Sequence, residues 1–333
     1  MDIPLHVVSR PWFVDEISDD VLALRATDDV NQQAVFPGDI ARMRAWALAT
    51  TGGFWTDPHH DANGAATWVT VDSGAKIWII FTPKSNDPND LIRALAIAAT
   101  YPQQESPVAL EEYFYISCVL LEPGSVLIQP PGQFHAVYTP VRTIMHGGHV
   151  LLYDTLHQTL LTRRLEFLTN HQGTNASHPA IDRMLARMII ALVWHSDQDF
   201  PVVHMNCLVE LLLQGGKQLY SVHPVEEPGL KRKRSGKPDT VTDRDAVYDH
   251  DAAFVVLARL CRDANFALQA PPALCWRLPH QPLKVQLPKV QIPDSKEVLA
   301  ATQRHRVARD QNARLLYTYI EQLKGLLNGL AVE

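Results

Sequence analysis

The segment Gly124-Ser-Val-Leu-Ile-Gln-Pro130-Pro-Gly132-Gln-Phe-His135 constrains the fold of this 333-residue chain more than any other. Gly124 turns the chain, and Val126 and Ile128 share one face of a short strand. Pro130-Pro131-Gly132 then makes a second tight turn that presents His135 at the start of the next strand. A strand, a turn and a strand deliver an imidazole rigidly to a fixed point. Read alone, the same segment is also a β-hairpin with an incidental histidine.

The surrounding sequence carries the same β signal. From Phe54 to Tyr153, short runs rich in β-branched and aromatic residues alternate with Gly, Pro, Asn and Asp clusters. The runs are Thr67–Val71, Ile77–Phe81, Tyr115–Leu121, Ser125–Ile128 and Ala136–Tyr138. This spacing predicts a sandwich or barrel. Residues 84–114 read as an insertion whose stretch Asn89–Thr100 has a capping Asn and a helical apolar stripe. Before the barrel, Ile40, Met43, Trp46 and Leu48 follow Pro37-Gly38 at near-helical spacing and predict a helix over 37–51. Beyond Leu165 the periodicity turns helical, with helices expected over 180–195, 202–213, 243–263 and 296–330. Residues 215–242 read as an exposed loop and Pro279–Pro293 as extended chain. No internal repeat is visible. The expectation is an α+β protein of about two domains: a barrel with a helical N-terminal flank over 1–165 and a helical region over 166–333.

With 46% hydrophobic and 20% charged residues, the chain is neither largely disordered nor collagen-like. Its net charge of −6 cannot hold a polyanion by bulk attraction, so direct nucleic-acid binding is not expected. Cys118, Cys207, Cys261 and Cys275 show no C-x-x-C pair and fit a reducing compartment. The first residues, Met1-Asp2-Ile3-Pro4, lack the basic and apolar regions of a signal peptide. The apolar runs are too short to span a bilayer, so the expectation is an intracellular protein without membrane association.

Fifteen histidines make any single one cheap. His195-Ser196-Asp197 ends an expected helix, where residues two apart diverge and cannot chelate one ion. His59-His60-Asp61 lies where the chain becomes extended, so His59 and Asp61 share a face while His60 points away; in a solvated loop the pair would mean nothing. With His135 they compose two imidazoles and one carboxylate. That set leaves positions open for ferrous iron and oxygen chemistry, although three ligands also suit catalytic zinc. Lys76, Trp78 and Ile80 share one face of an apolar strand. If that face lines the barrel, the Lys76 ammonium needs an anion, and the distal carboxylate of a 2-oxo acid is one. A lysine ending a strand in water is the alternative.

Taken together, Thr56-Asp57-Pro58-His59-His60-Asp61, Gly74-Ala75-Lys76-Ile77-Trp78-Ile79-Ile80-Phe81-Thr82-Pro83 and Pro131-Gly132-Gln133-Phe134-His135 resemble a Jumonji C (JmjC) domain of the cupin superfamily. Gly124 through His135 also matches the general cupin pattern G-x5-P-x-G-x2-H. The resemblance covers roughly residues 37–155. It implies a double-stranded β-helix (jelly-roll) barrel, Fe(II) and 2-oxoglutarate as cosubstrate. By the same resemblance His59, Asp61 and His135 match the iron ligands, Lys76 the residue binding the cosubstrate's far carboxylate, and Thr56 a hydroxyl assisting it. The sequence departs from the family at His149 in His146-Gly-Gly-His149, where many members carry Ser, Thr or Asn near the cosubstrate. His146 and His149 read as incidental on a glycine-rich strand rather than as a second metal pair.

Three functions compete: a 2-oxoglutarate oxygenase, hydroxylase or demethylase, acting on a protein side chain; a JmjC-like interaction scaffold without catalysis; and a generic metal cupin. Lys231-Arg232-Lys233-Arg234 resembles a nuclear-import signal, or is a solvated loop. Leu316, Ile320, Leu323, Leu327 and Leu330 form a stripe that docks on the chain's own helices or makes a homodimer.

Overall fold

The structure, a computed structural model, describes residues 2–4, 12–27, 38–100, 110–169, 173–174, 178, 180–221, 240–263, 275–278 and 282–300. The apolar runs between Phe54 and Val150 form the strands of two antiparallel sheets that face each other. One sheet has the order β1-β2-β9-β4-β7, with β1 Asp2–Pro4, β2 Trp46–Thr50, β9 Thr143–Val150, β4 Ala66–Ser73 and β7 Val126–Gln129. The other has the order β3-β8-β5-β6, with β3 Phe54–His59, β8 Phe134–Thr139, β5 Lys76–Pro83 and β6 Phe114–Leu121. From β3 to β5 and from β7 to β9 successive strands alternate between the sheets, which is the jelly-roll barrel of a cupin. The inner faces meet through Val69, Val71 and Met145 of the first sheet and Trp78, Leu121 and Val137 of the second.

Each expected strand is present: four are extended by one to three residues, and Ser125–Ile128 is shifted by one to Val126–Gln129. Val126 and Ile128 do share a face of β7, and that face is exposed while Gln129 is buried. The insertion folds into helices α4 Pro88–Thr100 and α5 Leu110–Tyr113. The helix expected over 37–51 is a correction. Helix α3 spans only Gly38–Arg44, and β2 follows at once, paired from Trp46↔Gly147 to Thr50↔Thr143 with β9. Trp-Ala-Leu-Ala-Thr has good helix formers, but pairing with a strand about a hundred residues away overrides local preference.

Helices α1 Trp12–Ile17 and α2 Asp19–Ala26 come before α3. Val14 of α1 covers the outer face of the first sheet against Ala66, Trp68 and Val150. Helix α6, Leu156–Leu168, begins the helical half and runs through residue 165. Its Leu156, Leu160, Leu161 and Leu165 join one core with Phe81, Phe134 and Ala136 of the barrel and with helix α7, Ile181–Ala191. Helix α8 spans Val202–Ser221 and α9 Thr240–Asp263, so the exposed loop expected over 215–242 is shorter at both ends. Leu208, Leu211 and Leu212 anchor α8 in the core and carry the helix through Gly215-Gly216. Strand β11, Lys284–Gln286, pairs with β10, Asp199–Pro201, inside the stretch expected to be extended. Residues 295–300 are helical. The basic run 231–234 and the stripe 316–330 lie outside the described residues.

Candidate functional site

The strands bring His59, Asp61 and His135 together: one ligand atom from each lies within 4.8 Å of the others. His59 and His135 are register partners across β3 and β8. The register of β3 against β8 shifts between Thr56 and His59. Each imidazole is oriented by a carbonyl two residues before it. His59 Nδ1 is 2.8 Å from Asp57 O, and His135 Nδ1 is 2.9 Å from Gln133 O. A carbonyl fixes the proton on Nδ1 and leaves the Nε2 lone pair for the centre, as in imidazoles that ligate metals. The His135 ring is stacked on Trp78 at 5.1 Å. Burial, with the neighbouring His59, pushes the His135 imidazole down to about 4, so it presents a lone pair at neutral pH.

Asp61 is 8% exposed. Burial alone would raise its pKa, but His135, His149, His59 and the Thr67 hydroxyl together hold the carboxyl below the usual carboxylate range. His60 points away, as expected. It is fully buried, edge-on to Phe134 with Nδ1 2.9 Å from Asp61 O. His195 lies apart at the end of the 3-10 turn Leu192–His195, where it contacts Gln198.

The two turns that carry the cluster rest on one helix. Gly64, three residues after Asp61, has φ +71°, and a Cβ there would lie 2.6 Å from Thr159 O of α6. Gly132, three before His135, has φ +69°, and its Cβ would lie 2.2 Å from Thr162 Oγ1 of α6. The positive φ favours glycine at both positions, and at Gly64 the close approach of the α6 backbone requires it as well. Between them Asn63, at φ 57°, donates its N–H to Glu166 Oε1 at 2.6 Å.

Lys76 is 3% exposed and lines the same cavity of about 580 Å³ as the triad and Thr56. Its Nζ donates to Thr50 Oγ1 at 3.0 Å, and among the described residues no carboxylate lies within ion-pair distance of it. Burial lowers its pKa to about 8. The buried Trp78 indole N–H, which also lines the cavity, has no acceptor among the described residues. A cavity with an uncompensated ammonium and an idle donor fits an anionic ligand beside a metal-ligating set. Iron and a dicarboxylate fit the residues present.

Sequence reasoning missed four residues here. Thr50 reaches Lys76, and Trp46, Thr67 and His149 stand behind Asp61. His149 is not incidental: its Nδ1 lies 2.8 Å from Thr67 Oγ1, and its Nε2 3.3 Å from Trp46 Nε1. His146 instead meets Asp72 Oδ2 at 2.8 Å, so the two histidines make no pair. Among the described residues no helix is long and apolar enough to cross a membrane.

No family model matches the chain. It is similar to "JmjC domain-containing histone demethylation protein 1" of Cryptococcus neoformans var. neoformans serotype D (strain JEC21 / ATCC MYA-565), 29% identical over 129 residues. That alignment covers 38% of this chain and 14% of the relative. The protein of the same name in Saccharomyces cerevisiae is 24% identical over 180 residues, covering 51% and 35%. "Lysine-specific demethylase 2A" of Xenopus tropicalis is 27% identical over 155 residues, covering 44% and 13%. The chain thus spans about a third or less of the length of these relatives.

Proposed function

Starting from a JmjC-domain protein, which this chain is, we propose an Fe(II)- and 2-oxoglutarate-dependent oxygenase that acts on a protein side chain. In this reading His59, Asp61 and His135 hold the iron. Lys76 receives the distal carboxylate of 2-oxoglutarate, with the Thr50 and Thr56 hydroxyls beside it. The observation that carries it is the buried Lys76 ammonium, which has no carboxylate within ion-pair distance among the described residues and shares one cavity with the triad. When bound, iron supplies the activation of dioxygen that couples oxidative decarboxylation of 2-oxoglutarate to succinate and carbon dioxide with insertion of the second oxygen atom into a substrate C–H bond.

The chain's own residues set the geometry of that chemistry. The Asp57 and Gln133 carbonyls hold Nδ1 of each imidazole and so aim Nε2 at the centre. Trp78 stacks on His135 and walls the cavity with Val69, Val137 and Met145, which limits water near the centre. The printed names of the relatives favour N-methyl-lysine on a histone as the substrate, demethylated by hydroxylation of its methyl group, and a nuclear location. A two-part organisation is proposed with it, residues 1–165 as the catalytic barrel and 166–333 as a helical support.

Full-length protein loaded with Fe(II) should consume 2-oxoglutarate and form succinate, and His59→Ala or His135→Ala should abolish this. Wild-type protein that binds Fe(II) but neither binds 2-oxoglutarate in calorimetry nor turns it over would support the scaffold reading. Metal analysis that finds zinc or manganese without 2-oxoglutarate binding would support a generic cupin. Replacing Lys231–Arg234 should move a fluorescent fusion from nucleus to cytoplasm.

A further inference from the structure

The three members of the cluster are not oriented alike. His59 and His135 take their orientation from carbonyls of their own chain segments, two residues before each. The Asp61 carboxylate is instead reached from outside its loop, because Oδ2 accepts the hydroxyl proton of Thr67 on β4. A threonine hydroxyl has one proton, and an ionised carboxylate has none to give. Once Thr67 donates to Asp61, its Oγ1 is only an acceptor for the other neighbour, His149 Nδ1 at 2.8 Å. That contact therefore requires a proton on Nδ1.

The far end of the ring imposes the same answer independently. His149 Nε2 lies 3.3 Å from the indole nitrogen of Trp46, which is a donor and never an acceptor. Nε2 must carry a lone pair. A proton there would set two N–H groups head to head in a buried place, where His149 is 4% exposed. Both ends thus demand one tautomer, neutral with hydrogen on Nδ1. The parts are held by the sheet itself, since Thr67 and His149 are register partners across β4 and β9, and Trp46 is paired to β9 opposite Gly147.

We propose that Trp46, His149 and Thr67 are positioning residues, a one-directional hydrogen-bond relay from indole to imidazole to hydroxyl that fixes the Asp61 carboxylate as a metal ligand. This rests on the reading of His59, Asp61 and His135 as the metal centre. The three residues line the cavity, and the role proposed for them acts through Asp61. It sets which oxygen of Asp61 is committed to Thr67 and turns the carboxylate toward the centre, as outer partners of metal ligands do.

Two measurements on the full chain test it. Long-range 1H–15N correlation on the metal-free protein, with the His149 signals assigned by their loss in His149→Asn, reads the tautomer. Hydrogen on Nδ1 is expected. Titration with Co(II), followed by its visible absorption, reads metal affinity without turnover. Thr67→Val, which keeps the shape and removes the hydroxyl, should weaken binding roughly ten- to a hundred-fold, and Thr67→Ser should restore it. Trp46→Phe should shift His149 toward the other tautomer with a smaller loss. Hydrogen on Nε2 in the wild type, or a Thr67→Val protein that binds Co(II) as the wild type does, overturns the relay and leaves the metal centre standing. A wild-type protein that binds no divalent ion at all overturns the metal centre itself.

Discussion

Buried charge is handled in opposite ways in the two halves of the molecule. In the helical half every buried arginine of the interhelical cluster faces a carboxylate. Arg163 pairs with Asp182 at 2.5 Å and Arg164 with Glu210, while Arg183 and Arg187 converge on Asp249 at 2.6 and 2.9 Å. In the barrel, the buried Lys76 ammonium has a threonine hydroxyl and, among the described residues, no carboxylate within ion-pair distance. Charges removed from water are tolerated when paired and are costly when single. Each of these guanidinium charges therefore has its counter-charge within the folded chain, whereas Lys76 has none among the described residues.

The largest test of that contrast is Asp249→Ala. It strands Arg183 and Arg187 in the core and should cost about 3–5 kcal/mol, read from the midpoint of urea unfolding. Lys76→Met is the counterpart. It removes a lone buried charge, so the same urea curve should be unchanged or shifted to higher denaturant. The affinity for 2-oxoglutarate should meanwhile fall roughly ten- to a hundred-fold, the loss of one charged hydrogen bond. Equal destabilisation by the two variants would erase the comparison.

A third test sharpens it with pH. His157 and His204 are buried and stacked at 5.6 Å, and burial pushes both imidazoles down to about 4 from the ordinary 6.5. With folded pKa values below unfolded ones, the unfolded chain binds more protons in this window. Stability should thus be full above about pH 6.5 and fall as pH drops toward 4, by at most about 1.4 kcal/mol per pH unit for each imidazole. His204→Leu should flatten that slope; an unchanged slope would remove this pair as its source. The smallest effect belongs to the outer face of β7. There Val126→Thr on an exposed position should leave the unfolding midpoint within about 0.5 kcal/mol of wild type.

Much of the barrel was legible because each strand is a local run bounded by turn residues, and because His59, Asp61 and the Gly124–His135 segment carry their spacing in the chain. What escaped notice depends on pairing between distant strands. Trp46 to Thr50 looks helical until β9 lies beside it, and Thr50 is unremarkable in sequence until the fold sets it against Lys76. His149 looked incidental for the same reason: its partners Trp46 and Thr67 lie 103 and 82 positions away. The helical half was legible as helices, but its ion pairs were not, since no periodicity says which arginine meets which acid.

The seating of Gly64 and Gly132 on helix α6 has a practical consequence for anyone who would cut or graft this protein. The chain lengths on either side invite excision of a barrel ending near residue 155. Such a fragment keeps His59, Asp61 and His135 but lacks Thr159, Thr162 and Glu166, against which the turns beside them are held. The smallest transplantable unit is accordingly the barrel together with α6, and a swap of helical halves between relatives must match the faces of that helix before it matches anything else.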